Sequence, residues 1–249
     1  MPRFYVDGCS DAEKSITITG EDVNHIKNVL RLSIGDPITV CDGAGKEYEC
    51  RISRMERDAV EADIEDVSQN AAELPCRITL FQGMPKSDKL EFIIQKAVEL
   101  GVYEIVPVMT KRTVVKLEDK KKDKKRERYQ TISEAAAKQS GRGMIPSVHM
   151  FMSFREALIY AKDYDFLILP YENADGMEFA KKTMEEAARL PEGARIGVFI
   201  GPEGGFSKEE VEEAMQAGAK IITLGNRILR TETAGLTTLS ILMFLMEQR

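Results

Sequence analysis

Two short loops near the C-terminal end of the sequence hold the residues best suited to chemistry. Residues 201–207 read Gly-Pro-Glu-Gly-Gly-Phe-Ser, and residues 224–234 read Leu-Gly-Asn-Arg-Ile-Leu-Arg-Thr-Glu-Thr-Ala. Each loop follows a short apolar run, at 196–200 and at 221–224, that predicts a buried parallel strand. Because the carboxyl ends of neighbouring parallel strands form ligand crevices, we expect the two loops to build one binding site.

The side chains in these loops indicate what such a site could bind. The glycines of the first loop let the backbone approach a ligand closely, and Pro202 stiffens its entry. A plain strand-to-helix turn would also use glycines for conformation alone. In the second loop Arg227 and Arg230 place fixed cations where an anionic partner could bind. Thr231 or Thr233 could cap the helix that closes this loop.

Several common functional sites are missing from the sequence. It contains no GxxxxGK[ST] phosphate loop and no GxSxG elbow, and residues 43–45 lack the third glycine of a dinucleotide fingerprint. The 4 cysteines show no CxxC spacing, and there are only 2 histidines. We therefore expect no metal site, and a ligand that is bound differently from a standard nucleotide.

The charge distribution is uneven. A formal net charge of −6 argues against a surface that coats nucleic acid as a whole. Residues 111–128, however, contain ten Lys or Arg against four Asp or Glu. This segment is either a solvated helix face or mobile loop, or a patch that contacts the phosphates of RNA or DNA. The N-terminal residues show no export signal, so the expected location is cytoplasmic.

The hydrophobic periodicity divides the chain into two regions. Residues 1–70 predict short strands and one helix at 21–31, which fits a small barrel, and a linker extends to residue 75. From residue 76 strands and helices alternate, which predicts an α/β domain with a parallel sheet and helices on both faces. The predicted strands are 4–6, 15–19, 37–41, 46–52, 59–67, 78–82, 104–108, 166–169, 196–200 and 221–224, and the later helices are 89–100, 129–139, 176–189, 207–218 and 234–246.

Helix ends and helix composition add detail to this outline. Asp88 with Glu91, and Ser207 with Glu210, predict capping boxes at two helix starts. The last helix, 234–246, carries no charged residue and must therefore be covered on all sides. This predicts either contact with a second subunit or burial in the core, because the stretch is too short to span a bilayer.

The sequence resembles the SPOUT class of RNA methyltransferases and, within it, the RsmE family, which methylates N3 of a uridine in small-subunit ribosomal RNA. The resemblance extends over nearly the whole chain. The segments that carry it are the two loops described above, residues 25–31 with Gly35 and Asp36, residues 89–101, and residues 139–142 with Pro146.

The resemblance implies a PUA-like RNA-binding β-barrel in residues 1–70 and a SPOUT domain with a deep trefoil knot in residues 76–249. It implies S-adenosylmethionine as the cofactor and a homodimer formed through the C-terminal helix, with no membrane or metal partner. The implied substrate is a uridine of 16S ribosomal RNA, either free or in the assembled small subunit. A SPOUT enzyme that methylates the ribose 2′-oxygen and a non-catalytic RNA-binding assembly protein are the alternatives.

The resemblance also assigns roles to residues. Arg230 is expected to stabilise the uridine anion, and Glu232 is a base, an orienter of that arginine, or only a carboxylate favoured by the helix dipole. Glu203 has a similar ambiguity, and His25 either contacts RNA or packs within its helix. The residues expected to bind the cofactor are Leu169, Pro170, Ile200, Gly201, Pro202, Glu203, Gly204, Gly205, Leu224, Gly225, Ile228, Leu229, Arg230, Thr231 and Ala234. Those expected to contact RNA are His25, Lys27, Arg31, Lys121, Lys124 and Arg142.

Overall fold

The computed structural model of this chain describes residues 1–6, 8–10, 12–86, 88–114, 119–172 and 176–247, with the backbone alone at 119–121. The chain divides into two compact units: unit 1 comprises residues 1–73 and 137–145, and unit 2 comprises residues 74–136 and 146–249. The division into domains 1–70 and 76–249 stays a prediction. That division would place residues 137–145 in the second domain, whereas in the structure they group with unit 1.

Unit 1 contains five strands, namely β1 (Arg3–Tyr5), β2 (Ser15–Thr19), β3 (Pro37–Cys41), β4 (Lys46–Met55) and β5 (Ala59–Gln69). They form one sheet in the order β1-β3-β4-β5-β2, in which only the β1–β3 pair is parallel. Two register shifts between β4 and β5 act as bulges, which bend these long strands around the core. Buried side chains such as Ile18, Ile38 and Val60 fill that core.

The helix predicted at 21–31 is less regular than expected. It begins as α1 (Glu21–Asn24) and continues as a π-helical turn, His25–Val29. The Leu30 N–H donates to a carbonyl five residues earlier at 2.9 Å, which widens the turn, and Arg31 then adopts a left-handed φ of 55°. Because a residue with a side chain is disfavoured in that conformation, the helix cannot continue through it.

Residues 137–145 are held in unit 1 by a buried ion pair. The Arg142 guanidinium donates to both carboxylate oxygens of Glu73, at 2.9 Å from Nε and 2.6 Å from Nη2, and its side chain is 2% exposed. Glu73 also accepts the backbone N–H groups of Gly143 and Met144. In place of the expected phosphate contact, Arg142 has a structural role, because a buried guanidinium paired in this way is not accessible to RNA.

Unit 2 contains seven strands, namely β6 (Arg77–Gly83), β7 (Glu104–Met109), β8 (Ser147–Val148), β9 (Met152–Ser153), β10 (Phe166–Pro170), β11 (Arg195–Ile200) and β12 (Lys220–Ile222). The sheet order is β12-β10-β11-β6-β7-β8, with β9 also paired to β7. Every pair is parallel, as the alternation of strands and helices predicted. The helices are α2 (Lys89–Glu99), α3 (Asp119–Ser140), α4 (Phe154–Tyr160), α5 (Met177–Ala188), α6 (Lys208–Gln216) and α7 (Thr231–Met246).

Two helices of unit 2 differ from the prediction. α3 begins at Asp119 rather than near residue 129, because Lys, Arg and Glu favour helix even where no apolar stripe marks one. α4 was not predicted, although Ser153 and Glu156 form a complete capping box at its start. The Ser-x-x-Glu spacing was the signal in the sequence that could have located it.

The two predicted capping boxes had opposite outcomes. Ser207 and Glu210 form the expected box at the start of α6. Asp88 makes no side-chain capping bond at the start of α2, so that prediction was wrong. Glu91 instead pairs with Arg128 at 2.8 Å.

α7 is covered on one face only. Thr238, Leu239 and Leu242 are buried, whereas Ile241 is 37% and Phe244 is 62% exposed. Within the described part of the chain, no helix combines the length and apolar content needed to cross a membrane. The trefoil knot stays a prediction from the family resemblance.

Glu104, the first residue of β7, carries a buried carboxylate with several hydrogen-bond partners. Glu104 accepts hydrogen bonds from Thr79 at 2.8 Å and Tyr164 at 2.7 Å, and its Oε2 lies 2.7 Å from His149 Nε2. Burial raises the pKa of Glu104, but hydrogen bonds from His149, Tyr164 and Thr79 outweigh it and lower the pKa to about 2. The structure therefore holds this carboxyl group in its ionised form.

This depressed pKa predicts acid sensitivity. A folded-state pKa below the value of 4.5 in the unfolded chain stabilises the fold above that pH, and the stabilisation is lost as the pH falls towards 2. The full contribution is about 3 kcal/mol. Urea unfolding should show Glu104→Gln to be less stable than the wild type at about pH 7, with the gap narrowing at about pH 3. An equal gap at both pH values would contradict this account of Glu104.

Candidate active site

One cavity of about 700 Å³ lies where β10, β11 and β12 end. Because these strands are neighbours in the parallel sheet, the loops that follow them meet at the same edge. The two loops singled out in the sequence both line this cavity, together with residues that follow β10. The structure therefore brings together backbone segments that are distant in sequence.

Most residues expected to bind a cofactor line this cavity. Leu169 and Ile200 do not, because both are buried within their strands at 0% and 2% exposure. The expected residues that do line the cavity are Pro170, Gly201, Pro202, Glu203, Gly204, Gly205, Leu224, Gly225, Ile228, Leu229, Arg230, Thr231 and Ala234.

Glycines allow the cavity walls to pack closely. A Cβ atom on Gly83, at the end of β6, would lie 2.6 Å from the Pro202 nitrogen and 2.8 Å from the Ile200 carbonyl oxygen. The backbone at the end of β6 is therefore in direct contact with the backbone at the end of β11. Gly225 has a φ of 110°, a conformation that residues with side chains rarely adopt, where the second loop turns.

A buried hydrogen-bond chain connects three parts of the site. Gln82 Nε2 donates to Thr231 Oγ1 at 2.8 Å, and Thr231 Oγ1 donates to the Gly201 carbonyl at 2.6 Å. Thr231 therefore does not cap α7, whose N-cap is Arg230 without a side-chain bond, and the predicted cap was wrong. Gln82 was not predicted as a site residue, although a polar residue at the end of an apolar strand is a usable signal.

The two arginines of the second loop and the carboxylates of this site differ in their partners. Arg227 and Arg230 are exposed, and neither side chain has a hydrogen-bond or ion-pair partner among the described residues. Glu232 does not orient Arg230; its Oε2 lies 3.3 Å from Lys89 Nζ. The same ammonium lies 3.4 Å from Glu203 Oε1. Lys89 is a second site residue that was not predicted from the sequence.

Glu203 connects two loops as well as binding Lys89. Its two oxygens accept the Lys86 backbone N–H at 3.0 and 3.3 Å. Partial burial raises the pKa of Glu203, but hydrogen bonds from its own backbone, from Lys86 and from Lys89 lower it overall. Because its pKa is lowered and its oxygens already accept hydrogen bonds, Glu203 is a weak candidate for a general base.

The residues expected to contact RNA lie in both units. In unit 1, His25 is exposed and packs its ring edge-on against Phe4 at 6.2 Å, and Arg31 is exposed. Lys27 donates to the carbonyls of Glu56 and Arg57. In unit 2, Lys124 is exposed on α3.

Lys121 is the remaining residue that was expected to contact RNA. The side chain of Lys121 lies outside the described residues.

No group of three or more His, Cys, Asp or Glu side chains among the described residues could hold a metal ion. The polar groups that line the cavity include backbone groups, Arg227, Arg230 and the paired Lys89 and Glu203.

The chain matches known proteins over most of its length. Residues 72–243 match a family model described as the RNA methyltransferase domain, and residues 18–65 match the RNA methyltransferase PUA domain. It is 39% identical to the ribosomal RNA small subunit methyltransferase E of Bacillus subtilis, over 98% of this chain and 96% of that protein. The protein of the same name from Mesomycoplasma hyopneumoniae is 31% identical, over 96% of this chain and 98% of its own. A crystal structure of a ribosomal RNA small subunit methyltransferase E from Neisseria gonorrhoeae, bound to S-adenosyl methionine, aligns with a TM-score of 0.79 and 36% identity over 96% of this chain and 95% of that one.

Proposed function

Because the chain belongs to the family of the ribosomal RNA small subunit methyltransferases E, we propose that it transfers a methyl group from S-adenosylmethionine to N3 of a uridine in small-subunit ribosomal RNA. The observation that carries this proposal is the single cavity lined by both loops, with Arg230 on its wall and without a protein partner among the described residues. A cytoplasmic location belongs to the same proposal, because the proposed substrate is ribosomal RNA.

The cavity suits a nucleoside-like cofactor. Its volume of about 700 Å³ is within the range of small-molecule sites. Backbone groups of residues 201–205 and 224–229 would bind the adenosine, because the glycines there leave the peptide groups accessible. When bound, the cofactor supplies an electrophilic methyl group on a positively charged sulfur.

The protein's own residues must then prepare the uridine. N3 lies on the Watson–Crick edge and carries a proton, so the base must be unpaired and must lose that proton before N3 attacks the methyl carbon. As the new N–C bond forms, the old C–S bond breaks and its electron pair remains on sulfur. Arg230 would stabilise the negative charge that develops on the uracil ring when N3 loses its proton, before the methyl group is transferred.

RNA phosphates are proposed to bind cations of both units, of which Arg31 and Lys124 are exposed and Lys27 is half-buried. Lys27 and Arg31 are the candidates in unit 1, and Lys124 is the candidate on α3 of unit 2. The PUA-domain match over residues 18–65 supports the first group. The high content of Lys and Arg in the first half of α3 supports the second.

Neutralising cations on α3 should change the salt dependence of RNA binding. For Lys124→Gln combined with Lys125→Gln, the slope of log K against log salt should become shallower by about 1–2. The matched control is Lys181→Gln with Lys182→Gln, two lysines on α5 that are 75% and 73% exposed. An unchanged slope for the α3 variant in filter-binding titrations would show that these lysines do not contact RNA phosphates and that the segment is a solvated helix face.

A homodimer formed through α7 is proposed from the exposed apolar face of that helix. Phe244 and Ile241 would be covered by the same helix of a second copy, because residues 234–246 carry no charged side chain and such an apolar stretch must be covered on all sides. Phe244→Glu should therefore raise the dimer dissociation constant by about 100-fold or more in light scattering after gel filtration. Ile159→Glu, at an apolar side chain that is 59% exposed on α4, should leave the mass unchanged. A monomeric wild type would contradict the proposal.

Labelled cofactor tests the proposed activity and its substrate together. Unmodified small ribosomal subunits and naked small-subunit RNA would each be incubated with the protein and methyl-labelled S-adenosylmethionine. Incorporation of label into either substrate establishes methyl transfer, and the faster of the two identifies the form of the substrate. Absence of label from both, with cofactor binding intact, would contradict the proposed substrate.

A further inference from the structure

The Lys89 side chain is the centre of an ionic cluster on the cavity wall. Its Nζ lies 3.4 Å from Glu203 Oε1 and 3.3 Å from Glu232 Oε2. The three side chains are 34%, 30% and 18% exposed, so each is partly removed from solvent. Among the described residues, no other Lys or Arg forms an ion pair with either carboxylate. The cluster combines one cation with two carboxylates and carries one excess negative charge near neutral pH.

The cluster belongs to the cavity and is not a remote surface feature. Lys89 and Glu203 both line the cavity, and Glu232, in the first turn of α7, is connected to it through its contact with Lys89. Glu203 is fixed by the Lys86 backbone N–H, and Lys89 is fixed as the first residue of α2. Arg112, which also lines the cavity, donates to the Gly204 carbonyl at 2.8 Å and forms no ion pair with Glu203 or Glu232 among the described residues.

We propose that the Lys89–Glu203–Glu232 cluster makes the site favour the positively charged sulfonium cofactor over its uncharged thioether product. This inference rests on the proposed function. Methyl transfer removes the positive charge from sulfur, so attraction to the excess negative charge is present before the reaction and absent after it. The cluster thus strengthens binding of the donor and weakens retention of the spent cofactor, without forming a bond to either.

A charge series tests the proposal by binding alone. Calorimetric dissociation constants for S-adenosylmethionine and S-adenosylhomocysteine would be measured for the wild type and for variants that change only the cluster charge. Glu203→Gln and Glu232→Gln each remove the excess charge, and the preference for the sulfonium ligand should fall about fivefold in each. Lys89→Met adds one negative charge, so this preference should rise by about the same factor.

Two further comparisons complete the experiment. Lys89→Arg retains the cluster charge and should leave the ratio of the two dissociation constants unchanged. Equal weakening of both ligands across the series would assign the cluster a purely structural role and overturn the proposal. A wild type that binds neither ligand would overturn the proposed function itself, and the two failures are therefore distinguishable. If Lys89→Met does not fold, the two glutamine variants decide the outcome.

Discussion

Arg230→Ala is expected to lower the methyl-transfer rate by about 100-fold to 1000-fold, the usual effect of removing one group that stabilises a developing negative charge. Arg230 lines the cavity, is exposed and has no side-chain partner among the described residues, so its charge is available to a ligand. Cofactor affinity should change by less than about threefold, because the anion forms on the uracil ring and not on the cofactor. Single-turnover rates and calorimetric affinities measure the two quantities separately.

Two variants serve as controls for Arg230→Ala. Arg227→Ala removes the same charge from the same loop and should lower the rate by less than about tenfold if position matters more than net charge. Arg230→Lys keeps the positive charge but loses the planar guanidinium group with its several N–H donors. Its methyl-transfer rate should therefore lie between the rates of the alanine variant and the wild type. Equal losses of rate and cofactor affinity in Arg230→Ala would instead place this side chain in cofactor binding.

Gly83→Ala is the substitution with the largest expected effect on the architecture of the site. The added Cβ would lie 2.6 Å from the Pro202 nitrogen and 2.8 Å from the Ile200 carbonyl oxygen, and both are backbone atoms that cannot rotate away. The loop after β11 must therefore move. We expect a loss of about 2–3 kcal/mol in the free energy of unfolding, and a cofactor dissociation constant raised by about tenfold or more.

Gly176→Ala is the matched control for Gly83→Ala. Gly176 lines the same cavity, has a φ of −60°, and would place its Cβ with nothing within 4 Å. The same methyl group should leave cofactor affinity unchanged there and change the free energy of unfolding by less than about 1 kcal/mol, because Gly176 is the N-cap of α5, where Ala is less favourable than Gly, and this loss opposes the reduced flexibility of the unfolded chain. Chemical denaturation and calorimetry compare both variants with the wild type. Wild-type binding by Gly83→Ala would contradict the close packing of the two loops.

Local sequence signals were sufficient to locate the two loops. Glycines and a proline after an apolar run are visible without a structure, and Ser207 with Glu210 marked the start of α6 correctly. The parallel sheet followed from the alternation of strands and helices. These features depend on residues that are near one another in the chain, which a pattern analysis can detect.

Partners that are distant in sequence could not be predicted in the same way. Arg142 was expected to contact RNA because it is a cation in a family-like segment, yet its partner Glu73 is 69 residues away. Lys89 and Glu232 are 143 residues apart and meet because α2 packs against α7. The shortened α1 is a further example, since the π-helical turn and the left-handed Arg31 have no signature in the hydrophobic periodicity.

Nucleoside mass spectrometry of the methylated product tests the central claim most directly. Small ribosomal subunits lacking the modification would be treated with the protein and S-adenosylmethionine, and their RNA would then be digested to nucleosides. N3-methyluridine, formed by the wild type and strongly reduced with Arg230→Ala, is the predicted result. A ribose-methylated nucleoside, or methylation at another base, would contradict the proposed reaction while leaving a methyltransferase site in place.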